Sequence, residues 1–420
     1  PRDYLSTFLK IGVIVALAIG IFIASPEVTS LKMPALTEFA ATGDGPVWKG
    51  GLFPFLFITI ACGAVSGFHA LISSGTTPKL LANESQARYI GYGGMLMESF
   101  VAIMALVAAS ILDPGIYFAM NSPAAVLGTD VHSAAAAVTN MGFVITPEAL
   151  ELKAQQIGEH TIISRAGGAP TLAVGIAVIL HDALPGSGDA MMAFWYHFAI
   201  LFEALFILTA VDAGTRAGRF MLQDLLGNFV PVLRRTESWG PNVIGTAGCV
   251  ALWGYFLYQG VVDPLGGINT LWPLFGIANQ MLAGIALMLC TVVLFKMKRD
   301  RYAWVTILPA AWLLICTTSA GLIKIFDGNP AVGFLAQARK YQASIADGQL
   351  LGAAKSMGQM HQVVVNSYVN AALAGLFLFV VFSVLFYSVK SILKARRSAT
   401  RTDREAPYVA LTEEQQKAWL

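Results

Sequence analysis

The run FPFLFITIACGAVSGFHALISSGTTPK, Phe53 to Lys79, begins as a membrane span and turns polar and glycine-rich halfway across. A lipid-exposed break in a helix leaves backbone N–H and C=O groups unpaired at about several kcal/mol each, so irregular backbone survives at that depth only inside protein or along a cavity. Such a run points to a path for a solute or an ion. As one continuous helix it would put Thr59, Cys62, Ser66, His69 and Ser73 on a single face, because offsets of 3, 7, 10 and 14 keep close to the helical period. Gly63 and Gly67, and then Ser74, Gly75, Thr76, Thr77 and Pro78, favour unwinding, which frees backbone groups to hold a substrate or ion. Small residues also let helices approach closely. Packing alone, however, does not call for a histidine and so many hydroxyls.

The rest of the chain is written for lipid. Of its 420 residues 56% are hydrophobic and 12% charged, where a soluble domain carries roughly 25% charged residues. Eight apolar runs can cross about 30 Å of hydrocarbon, at 5–24, 51–73, 90–112, 190–211, 243–262, 271–295, 304–325 and 368–389. The expected fold is therefore an all-α integral membrane protein, a multi-span helical bundle with a transmembrane domain over 1–395 and a polar tail over 396–420.

The net charge of +2 says little, but the placement of Lys and Arg sorts the connections. One set holds Arg2; Lys79 and Arg88; Arg216, Arg219, Arg234 and Arg235; Lys296, Lys298, Arg299 and Arg301; and the tail Lys390, Lys394, Arg396, Arg397, Arg401 and Arg404. The alternate connections are poorer, and Lys324, Arg339, Lys340 and Lys355 are counted with these outer ones. The start and the tail are then cytoplasmic. The connection 113–189 becomes an outer cap, within which the apolar run 169–184 is short for a crossing and is expected as a re-entrant or surface helix; the alternative is a ninth crossing, which breaks the charge pattern unless 131–143 also crosses. On the inner side 216–235 mixes basic ends with Phe220, Leu225, Leu226 and Phe229, as an interfacial helix does. The chain opens at Pro1 without a methionine or signal peptide, so it is expected to be the later part of a longer protein.

Polar groups inside spans are the other candidates. Glu98 and Glu203 fall within the third and fourth runs, and an intramembrane carboxylate costs roughly 2.5–3.5 kcal/mol on insertion scales, so it usually faces a cavity or partner and often carries protons. Glu203 is the first candidate proton carrier, with a structural carboxylate as the alternative. Lys10 lies more than a turn inside the first run, where its stem either snorkels to the cytoplasmic face or holds a fixed cation. Asn279 and Gln280, in WPLFGIANQMLAG, either bridge helices or touch solute. His69 has a side chain able to titrate near neutral pH, with a satisfied bundle histidine as the plainer reading.

Several functions are disfavoured. Cys62, Cys249, Cys290 and Cys316 show no CxxC or Cys/His spacing, so neither a metal site nor a disulfide framework is expected, and no cofactor. No GxxxxGK[ST] loop is present to drive ATP-coupled transport, and nothing suggests a nucleic-acid partner. GAVSGFH offers a serine and a histidine, yet Ala64 stands where an intramembrane serine protease has glycine, and His69 sits on the same segment as Ser66. The expectation is not an enzyme.

Together, the Phe53–Lys79 run, DAGTRAGRF (Asp212 to Phe220), WPLFGIANQMLA (Trp272 to Ala283) and the opening PRDYLSTFLK resemble the carbon starvation protein A family of bacterial inner-membrane transporters. The resemblance covers nearly the whole chain. It implies import of pyruvate or another small carboxylate by proton symport, or of small peptides, and a LeuT-like fold of two inverted five-helix repeats whose first helices are broken. In that register the chain starts at the fifth helix, the broken run is the sixth, Lys10 stands on the fifth, and Glu203 and Thr209 stand on the eighth. A nutrient sensor or scaffold without transport is the reading from a different class.

Overall fold

The computed structural model describes residues 2–23, 31–47, 49–81, 83–128, 130–184, 188–263, 267–352, 354–398 and 400–401. Among these residues the chain is helical, with one isolated bridge between Asp44 and Lys49 as its only β pairing. In chain order the helices are α1 (Arg2–Ile23), α2 (Leu52–Thr59), α3 (Gly67–Gly75), α4 (Gln86–Ser110), α5 (Pro114–Asn121), α6 (Val131–Asn140), α7 (Pro147–Gln156), α8 (Gly168–Ala183), α9 (Asp189–Gly227), α10 (Trp239–Val262), α11 (Gly267–Lys296), α12 (Trp304–Phe326), α13 (Phe334–Ala346) and α14 (Met357–Arg397). Single turns of helix join some of them.

Among the described residues, five stretches are long and apolar enough to cross a membrane: Gln86–Ser110, Ala190–Gly227, Trp272–Lys296, Trp304–Phe326 and Met357–Arg397. They fall on five of the eight runs marked in the sequence. The first run is the shorter apolar helix Thr7–Ile23. The fifth lies in α10, whose 24 residues are diluted by Asn242, Gln259 and several glycines. The second is interrupted and divided between α2 and α3.

Two expectations about the connections change. The 39 residues of α9 run about 58 Å at 1.5 Å per residue, so one rod carries both the span and the basic stretch beyond it. Asp212 and Arg216 pair across one turn at 3.0 Å and support this continuity. The separate interfacial helix expected over 216–235 is instead the end of α9, followed by a 3-10 turn at Pro231–Arg234. The tail beyond residue 401 and the turn at 264–266 lie outside the described residues.

The chain divides into two compact units. The first comprises Pro1–Leu52, Met95–Trp272 and Tyr341–Val363. Its core is centred on α8, where Ala173, Val174, Ile176, Ala177 and Ile179 are all buried. The run expected as a re-entrant or surface helix is thus not on the surface; α1 and α9 pack against it. Around it α5, α6 and α7 start on caps: Asp113 accepts from the Gly115 N–H at 2.8 Å, Asp130 from the Ser133 N–H at 2.9 Å, and Thr146 from the Ala149 N–H at 3.2 Å. Asn121 Nδ2 donates to Thr171 Oγ1 at 2.9 Å, tying α5 to α8.

The second unit comprises Phe53–Gly94, Pro273–Lys340 and Val364–Leu420. Leu274, Ile325, Phe334, Ala371, Ala374 and Leu378 form one core cluster, and Met281, Met288, Ala310 and Val381 another. α11 and α12 run antiparallel, with the Thr291 and Thr306 hydroxyls 2.7 Å apart near their joined ends. Lys298, in a left-handed backbone conformation at φ 58, donates through Nζ to the Ala395 carbonyl at 2.6 Å and to that of Ser398. It caps the last carbonyls of α14.

Candidate functional site at the helix break

The break lies in the second unit. α2 stops at Thr59, a single turn follows at Ala61–Ala64, and Ser66 takes an extended backbone (φ −89, ψ 114) before α3 begins. Ser66 Oγ accepts the His69 N–H at 3.2 Å, which makes Ser66 the N-cap of α3. The same oxygen lies 2.6 Å from His69 Nδ1 and 3.8 Å from Cys62 Sγ. Three members of the predicted polar stripe are therefore gathered by the break itself rather than by a continuous helical period.

A break strands the last carbonyls of one helix and the first amides of the next. α11 answers on both sides. Asn279 Oδ1 accepts the Phe68 N–H of α3 at 2.7 Å, and Gln280 Nε2 donates to the Phe57 carbonyl of α2. Both amides are buried, at 3% and 2% exposure, so these bonds form away from water, where leaving the groups unpaired is expensive. Gly67 permits the approach: a Cβ there would stand 2.0 Å from the Asn279 carbonyl oxygen. Gly63 and Gly75 face open space. The predicted glycines thus divide into a buried contact at Gly67 and two open positions.

The hydroxyls beyond the break bond back along α3. Ser73 donates to the Ala70 carbonyl at 3.0 Å and Ser74 to that of Leu71 at 3.2 Å, both from exposed positions. Thr76, which is buried, and Thr77 share the Ile72 carbonyl at 3.0 and 3.3 Å. Each oxygen keeps an acceptor lone pair. Three buried side-chain atoms in this unit have no hydrogen-bond partner among the described residues: Asn279 Nδ2, Gln280 Oε1 and Thr317 Oγ1.

Sequence reasoning passed over Lys324 by placing it in an outer connection. It lies in the last turn of α12 at 6% exposure, its ammonium 5.2 Å from the centre of the Phe55 ring and 5.9 Å from that of Phe334. Phe55 belongs to α2, just before the break. A signal was available: Thr317, Ala320, Gly321 and Lys324 recur at helical spacing, and all four are buried.

The remaining candidates lie in the first unit. Lys10 on α1 donates to the Thr209 hydroxyl on α9, and its ammonium stands 5.8 Å from the centre of the Phe206 ring. Thr209 in turn donates to the Leu205 carbonyl at 3.0 Å. Glu203 is half-buried one turn before Phe206, without a hydrogen bond or ion pair among the described residues. Glu98 is half-buried on α4. The structure thus joins Lys10 to Thr209 and joins the break to Asn279 and Gln280.

These features define a multi-pass helical membrane protein with one broken span held open by the amides of a neighbouring helix. Residues 1–320 match the family model described as Carbon starvation protein CstA, and the chain belongs to that family. It is 62% identical over 436 residues to the pyruvate/proton symporter BtsT of Escherichia coli (strain K12), covering 98% of this chain and 60% of that protein. It is 65% identical over 418 residues to the peptide transporter CstA of the same organism, covering 98% and 59%. A peptide transporter CstA of Mycobacterium tuberculosis (strain ATCC 25618 / H37Rv) is 51% identical over 407 residues, covering 94% and 53%. The chain therefore spans about 60% of the length of the two Escherichia coli relatives. No solved structure matches it.

Proposed function

We propose that this chain works in a secondary transporter of the bacterial inner membrane that imports a small carboxylate such as pyruvate by proton symport. The observation that carries this reading is the break itself, bonded on one side by Gln280 and on the other by Asn279. A span opened and then secured in this way presents unwound backbone at membrane depth, which is how transporters hold substrates and ions. The start of α3 turns the positive end of a helix dipole toward an anion, its Phe68 and His69 N–H groups being taken by Asn279 and Ser66. The name of the pyruvate/proton symporter relative supports the same substrate and coupling.

Proton coupling is assigned to Lys10, Glu203 and Glu98. Lys10 meeting Thr209 supports a LeuT-like register in which α1 is the fifth helix and α9 the eighth, with about eight spans, an outer cap over 113–189 and a cytoplasmic tail. The substrate path is assigned to Gly63, Ser66, Gly67, His69, Ser73, Ser74, Gly75, Thr76 and Thr77, with Gly67 serving through close packing. Peptide import is the second reading, favoured by the 65% identity to a protein named as a peptide transporter. Uptake of labelled pyruvate and of a labelled dipeptide by vesicles containing the full protein separates the two. Accumulation of neither would favour a sensor or scaffold.

A further inference from the structure

Lys324 is the only cationic side chain among the buried residues described in either unit. A buried ammonium is costly unless something compensates it. Here the compensation includes two aromatic faces, Phe55 and Phe334, and the carboxylate of Asp327 follows one turn on, at the C-cap of α12. Phe55 ties this cation to the first half of the broken helix.

The packing of α11 on α12 relates Lys324 to three buried polar atoms of this unit. Thr291 meets Thr306, and seven positions earlier on α11 Gly284 lies against Leu313, seven later on α12. Continuing that antiparallel register by four residues sets Gln280 at the level of Thr317. A further seven set Pro273 at the level of Lys324. Thr317 and Gln280 each carry a buried oxygen with no partner among the described residues, and Asn279 a buried amide nitrogen. Thr317 and Lys324 stand two turns apart on the same buried face of α12.

We propose that this face of α12 is the wall that receives the substrate's carboxylate, Lys324 supplying a fixed positive charge and Thr317 a hydroxyl donor. The inference rests on the transporter reading above and adds two residues to it. Lys324 acts through its field from behind the Phe55 ring, while Thr317 contacts the carboxylate together with Asn279 Nδ2. The shared chemistry is a carboxylate, whether of pyruvate or of a peptide C-terminus.

The test is initial uptake of labelled pyruvate and of a labelled dipeptide at graded concentrations by proteoliposomes holding the full protein. Lys324→Met is expected to raise KM for the transported substrate about tenfold or more with little change in Vmax, and Lys324→Arg to stay within about threefold of the parent. Thr317→Val is expected to raise KM, and Thr317→Ser to restore it. An unchanged KM in Lys324→Met overturns the proposal whatever Thr317→Val does. If Lys324→Met does not assemble, Asp327→Asn decides. The amide keeps the turn in which the Asp327 side chain accepts the Asn329 N–H at 2.7 Å while removing the opposing charge, so KM should fall; an unchanged or raised KM overturns the proposal. If the parent takes up neither substrate, the transporter reading itself fails instead.

Discussion

Lys10, on the first helix of the chain, donates a hydrogen bond to the hydroxyl of Thr209, on a helix almost two hundred positions later. The Lys10 side chain is only partly buried, yet it is committed to one acceptor and lies near the Phe206 ring. A lysine that only snorkelled would be solvated at the membrane surface. Lys10→Met is therefore expected to cut gradient-driven uptake about tenfold or more while leaving exchange of substrate across the membrane closer to the parent rate. Thr209→Ser should retain activity, because it keeps the acceptor. Equal loss of both rates in Lys10→Met would show that Lys10 serves structure alone.

Asn279 accepts the Phe68 N–H across the break at 2.7 Å. Asn279→Leu keeps the branched heavy-atom skeleton and removes that acceptor. A buried donor left unpaired costs about 1–3 kcal/mol, so the variant should melt earlier in detergent and lose uptake. Asn279→Asp, which still accepts, should melt closer to the parent.

Gly67 and Gly63 form an internal control. A Cβ at Gly67 would stand 2.0 Å from the Asn279 carbonyl oxygen, whereas one at Gly63 meets nothing within 4 Å. Forcing a methyl into a filled contact typically costs about 1–3 kcal/mol, so Gly67→Ala should lower thermal stability and Gly63→Ala should not. Thermal unfolding of the two purified variants checks this, and similar melting temperatures would refute it.

Asp130 gives a pH signature in the first unit. The hydroxyl and N–H of Ser133 hold its carboxyl below the usual carboxylate range. Because the folded value is depressed, the stabilisation is present above the unfolded pKa of about 3.9 and is lost as pH falls through the folded value. Asp130→Ala should melt below the parent at neutral pH, and the gap should close as pH drops under about 4. A gap that persists in acid would point to packing instead.

Much of this was legible in the sequence, and the exceptions share a cause. Hydropathy located the long spans, and the glycines and hydroxyls of 53–79 located the break, since both signals are local. Asn279 and Gln280 were visible as polar residues in an apolar run, but their partners Phe68 and Phe57 were not, because backbone groups more than two hundred residues away leave no local trace. The burial of α8 leaves no local mark for a related reason: a mostly apolar helix of sixteen residues suits the surface or the core equally, and packing against α1 and α9 decides between them. Lys324 stands at the end of an apolar run, where Lys and Arg mark the connections. Its burial depends on Phe55 and Phe334, which come from other segments.

Glu203→Gln should preserve substrate exchange and abolish the pH dependence of net uptake, since the amide fills the same half-buried position on α9 without binding a proton. A pH profile identical to the parent would remove Glu203 from the coupling path.

In the proposed symport, substrate and proton cross together. Vesicles containing the full protein and loaded with a pH-sensitive dye, with no imposed gradient, test it when pyruvate is added outside. Acidification of the lumen that needs both protein and pyruvate is the predicted result; pyruvate entry without acidification, or no entry of pyruvate at all, would contradict it.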